Sequence, residues 1–136
     1  MIRLSSQHKQ EIFAQGLREK PYEACGYLVG KAGVVHEVIP MTNVDHSEEH
    51  FSLDPKEQFA VVKKVRADQR EILAVYHTHP ASGARPSEED IRLAFDPTMI
   101  YVIGSLLTDE FDLKAFYIQN GQVQPVPLEE IPNASY

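Results

Sequence analysis

From Ile72 to Tyr76 the chain is unbroken apolar, and one residue later it turns polar: Ile-Leu-Ala-Val-Tyr gives way to His77-Thr78-His79. A short run without alternation reads as a strand, Ile72–Thr78, covered on both faces and ending at a polar locus. Both faces then need a covering layer, and helical patterns on either side in sequence supply candidates. Ser5 or Ser6 can cap a helix with Ile12, Phe13, Gly16 and Leu17 on its apolar face, closed by Pro21. Asp54-Pro55-Lys56-Glu57 joins a capping side chain, a proline at the first helical position and a glutamate three residues after the cap. It predicts a helix to about Gln69, with Phe59, Val62 and Val65 inward. A third helix opens at Ser87-Glu88-Glu89-Asp90 and ends at Asp96-Pro97.

Further strands are expected at Ala24–Val29 and Gly33–Ile39, around a turn at Gly30-Lys31-Ala32. Met99–Leu106 and Phe111–Ile118 form another pair around Thr108-Asp109-Glu110, and Asn120-Gly121 turns into a short strand near Val123. Met41–His50 and Pro80–Pro86 read as loops. The expectation is an α/β fold: one domain over residues 1–124, a mixed sheet flanked by helices on both sides, and a loosely held tail over 125–136.

The net charge is -7, and Lys63-Lys64-Val65-Arg66, the densest basic run, fits a solvated helix face. Nucleic acid therefore has no electrostatic footprint to bind. No apolar run is long enough to cross a bilayer, and MIRLSSQHKQ lacks the apolar region of a secretory signal. A single cysteine, Cys25, excludes an intrachain disulfide and favours a reducing, cytoplasmic setting.

His77 and His79 are two apart, so on a strand both side chains point to the same face and can reach one ion. Two imidazoles make an incomplete site; a catalytic zinc usually has three protein ligands and an open position. Asp90, in the first turn after the Pro80–Pro86 loop, is the candidate third ligand. Each piece has a plainer reading. Ser87-x-x-Asp90 is also a capping box, and a lone His77 would more often be a satisfied core histidine.

The whole string His77-x-His79-Pro80, six residues, then Ser87-x-x-Asp90, resembles the motif of the JAMM metallopeptidases, the MPN-plus domain. Chance agreement at the added Pro, Ser and Asp positions is on the order of one in several thousand. Pro21-Tyr22-Glu23-Ala24-Cys25-Gly26-Tyr27-Leu28-Val29-Gly30 resembles the N-terminal segment of the short bacterial and archaeal members, with Glu23 at the family's glutamate. The likeness covers roughly Leu4 to Ile118. It implies the MPN fold, a curved cytidine-deaminase-like sheet, and one zinc held by His77, His79 and Asp90. It further implies Glu23 as proton carrier for a zinc-activated water, and Ser87 as a donor to the tetrahedral intermediate. Cys25 reads as a buried structural thiol, and His50 as a surface or substrate-side imidazole.

Short stand-alone prokaryotic relatives are associated with ubiquitin-like sulfur carriers ending in Gly-Gly. The resemblance thus implies hydrolysis of an amide bond after such a tail, consistent with the lack of large insertions here. Three other readings stand beside it: a non-catalytic MPN scaffold, a RadC-like protein, and a cell-wall-peptide hydrolase. Retention of Glu23, His77, His79, Ser87 and Asp90 argues against the first.

Overall fold

The computed structural model describes residues 1–133. Among these, eight strands form one mixed sheet in the order β7-β6-β5-β4-β2-β3-β1-β8. The strands are β1 Ile2–Ser5, β2 Cys25–Lys31, β3 Val34–Met41, β4 Glu71–His79, β5 Ile100–Ser105, β6 Asp112–Gln119, β7 Gln122–Val126 and β8 Leu128–Ile131. Three helices accompany them: α1 Ser6–Glu19, α2 Pro55–Ala67 and α3 Glu88–Arg92.

The central strand is β4, antiparallel to β2 and parallel to β5. Its residues alternate between two cores. Ala74 and Tyr76 join Ile12 of α1, with Leu28, Val102 and Phe111, on one face; Val75 joins Val65 of α2, with Tyr27, Val29 and Met41, on the other. The unbroken apolar run at Ile72–Tyr76 has this cause: both sides of the strand are roofed by a helix. No described helix is long and apolar enough to cross a membrane.

Several local expectations are corrected. The β2–β3 turn is centred on Ala32-Gly33, with φ of 53° and 79°, not on Gly30-Lys31-Ala32. A two-residue hairpin needs left-handed backbone at both central positions, and Gly33 supplies one without strain. On α2, Phe59 is 72% exposed while Val65 is buried and Val61 packs on the core; the inward stripe is set by Val61 and Val65. On α1, Leu17 is half exposed and the inward position is taken by Gln15. Its side chain donates to Cys25 O (3.0 Å) and accepts from Tyr76 Oη (2.5 Å), so the buried amide is satisfied. Helix α3 stops at Arg92, short of Asp96.

The expected tail over 125–136 is largely not one. Leu128–Ile131 pairs in parallel with β1, Ile2 to Leu128 through Ser5 to Ile131, and Val126 and Leu128 belong to the core around α1. Long-range pairing of two four-residue strands leaves no periodic signal, so β1 and β8 both escape a sequence reading. Residues 134–136 of that tail lie outside the described residues.

Candidate metal centre and active site

β4 delivers His77 and His79 to its carboxyl end, both almost fully buried. After Pro80 the chain turns back over that end. Two bonds hold the turn: His79 Nδ1 donates to Gly83 O (2.8 Å), and Ser105 Oγ donates to Ser82 O (2.6 Å). Ser105 is the β5 residue opposite His79, so the loop is tied down at the strand's own rim. The loop then hands the chain to α3, whose N-cap is Ser87.

At that cap, Ser87 Oγ accepts from the Asp90 amide (3.0 Å), and the Ser87 amide donates to Asp90 Oδ2 (3.0 Å). The capping box is therefore real. The same Asp90 Oδ2 also lies 3.2 Å from His77 Nε2 and 3.0 Å from His79 Nε2, and the two imidazole nitrogens are 3.1 Å apart. A tetrahedral ion with bonds of about 2.0–2.1 Å separates its ligands by about 3.3 Å. Three donor atoms at 3.0–3.2 Å nearly match one face of that tetrahedron. The donor chemistry fits as well. His79 Nδ1 is committed as a donor to Gly83, which leaves Nε2 with its lone pair in the neutral ring. Two imidazoles and one carboxylate, with a fourth position open, could hold zinc.

The ring of His77 stacks on Phe51 (centroids 4.7 Å apart, 25° between planes). Its Nδ1 is buried without a hydrogen-bond partner among the described residues, so stacking and the Nε2 contacts orient it. Burial opposes protonation of His77 and lowers its pKa. In the metal-free chain burial also opposes the charge on Asp90, but hydrogen bonds donated by the histidines when their Nε2 atoms carry protons, and by the Ser87 amide, outweigh it, holding the carboxyl well below the usual carboxylate range.

Glu23 is the fourth member. A carboxylate oxygen of Glu23 and ring nitrogens of His77 and His79 all lie within 4.8 Å of one another. The residue is 3% exposed, and Oε1 finds no partner among the described residues. Burial raises its pKa from 4.5 to about 8, against the pull of His79 and with help from Asp90 and Glu49. A desolvated carboxyl beside candidate metal ligands is a candidate proton carrier.

Cys25 is fully buried, its Sγ directed at Met41 O (3.8 Å), with burial pushing the thiol up to about 12. It belongs to the core rather than to the ligand cluster. His50 contacts Asp45 Oδ2 through Nδ1 (3.0 Å) and lines a cleft of ≈ 430 Å³ beside His77 and Asp90, walled by Phe51, Leu53, Met99 and Tyr101. The sequence reading missed Asn43. This buried amide donates to Glu23 O and His50 O and accepts from the Asp45 and Ser52 amides, knitting the loop over the site. In sequence it is one more polar loop residue.

A mixed sheet roofed on both faces, with two strand-end histidines and a helix-cap aspartate converging beside a buried glutamate, defines a hydrolase of the JAMM type. The chain belongs to the prokaryotic homologues of the JAB domain, whose family model matches residues 5–119. It is 33% identical over 123 residues to the CysO-cysteine peptidase of Mycobacterium tuberculosis (strain ATCC 25618 / H37Rv), covering 88% of this chain and 84% of that protein. It is 36% identical over 117 residues to the probable TtuB-protein conjugate cleaving protease of Thermus thermophilus, covering 83% and 73%. The solution structure of protein DSY2949 from Desulfitobacterium hafniense superposes with a TM-score of 0.91 at 39% identity, covering 98% of this chain and 94% of that one.

Proposed function

We propose that this chain is a zinc-dependent peptidase that hydrolyses the amide bond after the C-terminal Gly-Gly of a ubiquitin-like or sulfur-carrier protein. The observation that carries the chemistry is the triangle of His77 Nε2, His79 Nε2 and Asp90 Oδ2 with the unpaired Glu23 carboxyl beside it. The names of the two curated relatives, a CysO-cysteine peptidase and a probable TtuB-protein conjugate cleaving protease, support the kind of substrate.

Zinc, when bound by His77, His79 and Asp90, supplies a Lewis acid that activates water and polarises a carbonyl. Glu23 takes the proton from the attacking water and returns it to the departing amine. Ser87 Oγ accepts from the Asp90 amide through one lone pair, and its hydroxyl hydrogen donates to the oxyanion that forms. Asp90 keeps its bond from the Ser87 amide, which steadies the carboxylate. A side-chain-free diglycine can lie extended where bulkier side chains would be blocked. A buried, unpaired Cys25 suits a cytoplasmic enzyme.

The test combines a zinc measurement on purified protein with cleavage of Gly-Gly-extended carrier conjugates and of short cell-wall peptides. About one zinc per chain and release at the Gly-Gly junction are expected. Cleavage of the cell-wall peptides alone would overturn the substrate.

A further inference from the structure

Among the described residues, no side chain holds Oε1 of the Glu23 carboxyl. Its place beside the histidines is therefore set by the peptide from which it hangs. That peptide is gripped at four consecutive backbone groups. The Glu23 amide donates to Ser47 O (2.9 Å), and Glu23 O accepts from Asn43 Nδ2 (3.0 Å). The Ala24 amide donates to Thr78 Oγ1 (2.9 Å), and Ala24 O accepts from the Thr78 amide (3.0 Å).

Thr78 stands between the two histidines on β4, so its side chain points to the opposite face. Both of its branches are used. The methyl faces α1, where a Cβ built on Gly16 would come within 3.1 Å of it. The hydroxyl caps the Ala24 amide just before β2 begins at Cys25. A valine would fill the same volume and leave that amide, now buried, without an acceptor.

We infer that Thr78, together with Asn43, is a positioning residue that fixes the Glu23 carboxyl against the His77–His79–Asp90 cluster. The inference rests on the proton-carrying role proposed for Glu23. One strand thus sets both halves of the site: His77 and His79 on one face, and the anchor of the glutamate between them on the other.

The experiment compares zinc-loaded wild type, Thr78→Val, Thr78→Ser and Asn43→Asp. The last keeps the acceptors for the Asp45 and Ser52 amides, removes the two donors and sets a carboxylate oxygen against Glu23 O and His50 O. Zinc content should equal that of wild type in all three variants. In Thr78→Val, kcat on a Gly-Gly carrier conjugate should fall about 10–100-fold with KM changed less than about twofold, the scale expected when a reacting group shifts by up to about 1 Å. Thr78→Ser, which restores the acceptor, should recover kcat to within about threefold of wild type. A crystal structure of Thr78→Val should show the Glu23 carboxyl displaced from the histidines.

Wild-type kcat in Thr78→Val, an unmoved carboxyl in its structure, or equal impairment in Thr78→Ser would overturn the inference. Should Thr78→Val fail to fold, Asn43→Asp must show the same kcat loss and displacement. A wild-type protein that cleaves no Gly-Gly conjugate would sink the substrate reading alone, because the position of the carboxyl in the variant structures still decides the clamp.

Discussion

Replacing Glu23 by glutamine removes an ionisable group that the fold keeps from water, and the consequence for stability has a definite sign. Burial is the main cause lifting this carboxyl from 4.5 to about 8. Its folded pKa thus lies above its unfolded one. Between roughly pH 4.5 and 8 the folded metal-free chain holds a proton that the unfolded chain has released. Stability from this group is full below pH 4.5 and is lost as pH rises through 8. The difference, 8 less 4.5, sets a ceiling of about 5 kcal/mol at roughly 1.4 kcal/mol per pKa unit. Relaxation and water entry from the adjoining cleft reduce this to about 2 kcal/mol. Glutamine has no such titration. Chelated wild type and Glu23→Gln, unfolded thermally at pH 5 and pH 8, should therefore diverge. The variant's advantage should grow by about 2 kcal/mol, or a Tm gap widening by about 8 °C. With zinc restored, the same variant should keep its metal and lose nearly all hydrolysis, because an amide cannot accept the proton. Parallel stability profiles for the two proteins would refute the argument that Glu23 is desolvated and unpaired.

Three further substitutions probe separate parts of the structure. Asp90→Ala removes one corner of the donor triangle and should weaken zinc binding beyond the about 10–100-fold typical of losing a ligand's hydrogen-bond partner, read by chelator competition. Ser87→Ala should lower stability by about 1 kcal/mol through loss of the α3 cap and lower kcat about 100–1000-fold through loss of the oxyanion donor. Unfolding and steady-state kinetics separate the two effects. Gly26→Ala would place a Cβ 2.3 Å from Ile39 O and 2.4 Å from Tyr76 Oη; urea denaturation should register a loss of about 3 kcal/mol or more, since backbone on a neighbouring strand cannot give way.

The parts of this fold that were legible in the sequence are those whose cause is local. The capping side chain and proline at Asp54-Pro55 do start α2, with Asp54 accepting from the Lys56 amide. The abrupt apolar-to-polar step at Tyr76–His77 does mark a doubly covered strand, because its residues alternate between the α1 and α2 cores. What escaped depends on partners distant in the chain. Phe59 sits one turn from Val62 and matches a helical stripe, yet the sheet surface available to α2 meets Val61 and Val65 instead. β8 pairs only with β1, 126 residues away at Ile2 and Leu128, and β1 sits between it and β3. Thr78 and Asn43 carry no signature, since a hydroxyl on a strand and an amide in a loop are both ordinary until the Glu23 peptide is seen between them.

The plainest rival to a metal reading in the sequence, that Ser87-x-x-Asp90 is only a helix cap, describes the same bonds that set the geometry of the candidate ligands. A lone carboxylate near two imidazoles would be free to rotate away. Here the Ser87 amide and the Asp90 amide lock the two residues reciprocally, and this directs Oδ2 to within 3.2 Å of both ring nitrogens. The cap also explains why α3 can be five residues long: it needs only its first turn, where the backbone donors and the positive end of the helix favour a carboxylate. The intervening loop is bound by its length to the same geometry, because Ser82 and Gly83 are anchored at Ser105 and His79 before the chain reaches Ser87. Capping and convergence on the histidines are thus a single arrangement, and a change that breaks the cap must loosen the donor triangle with it.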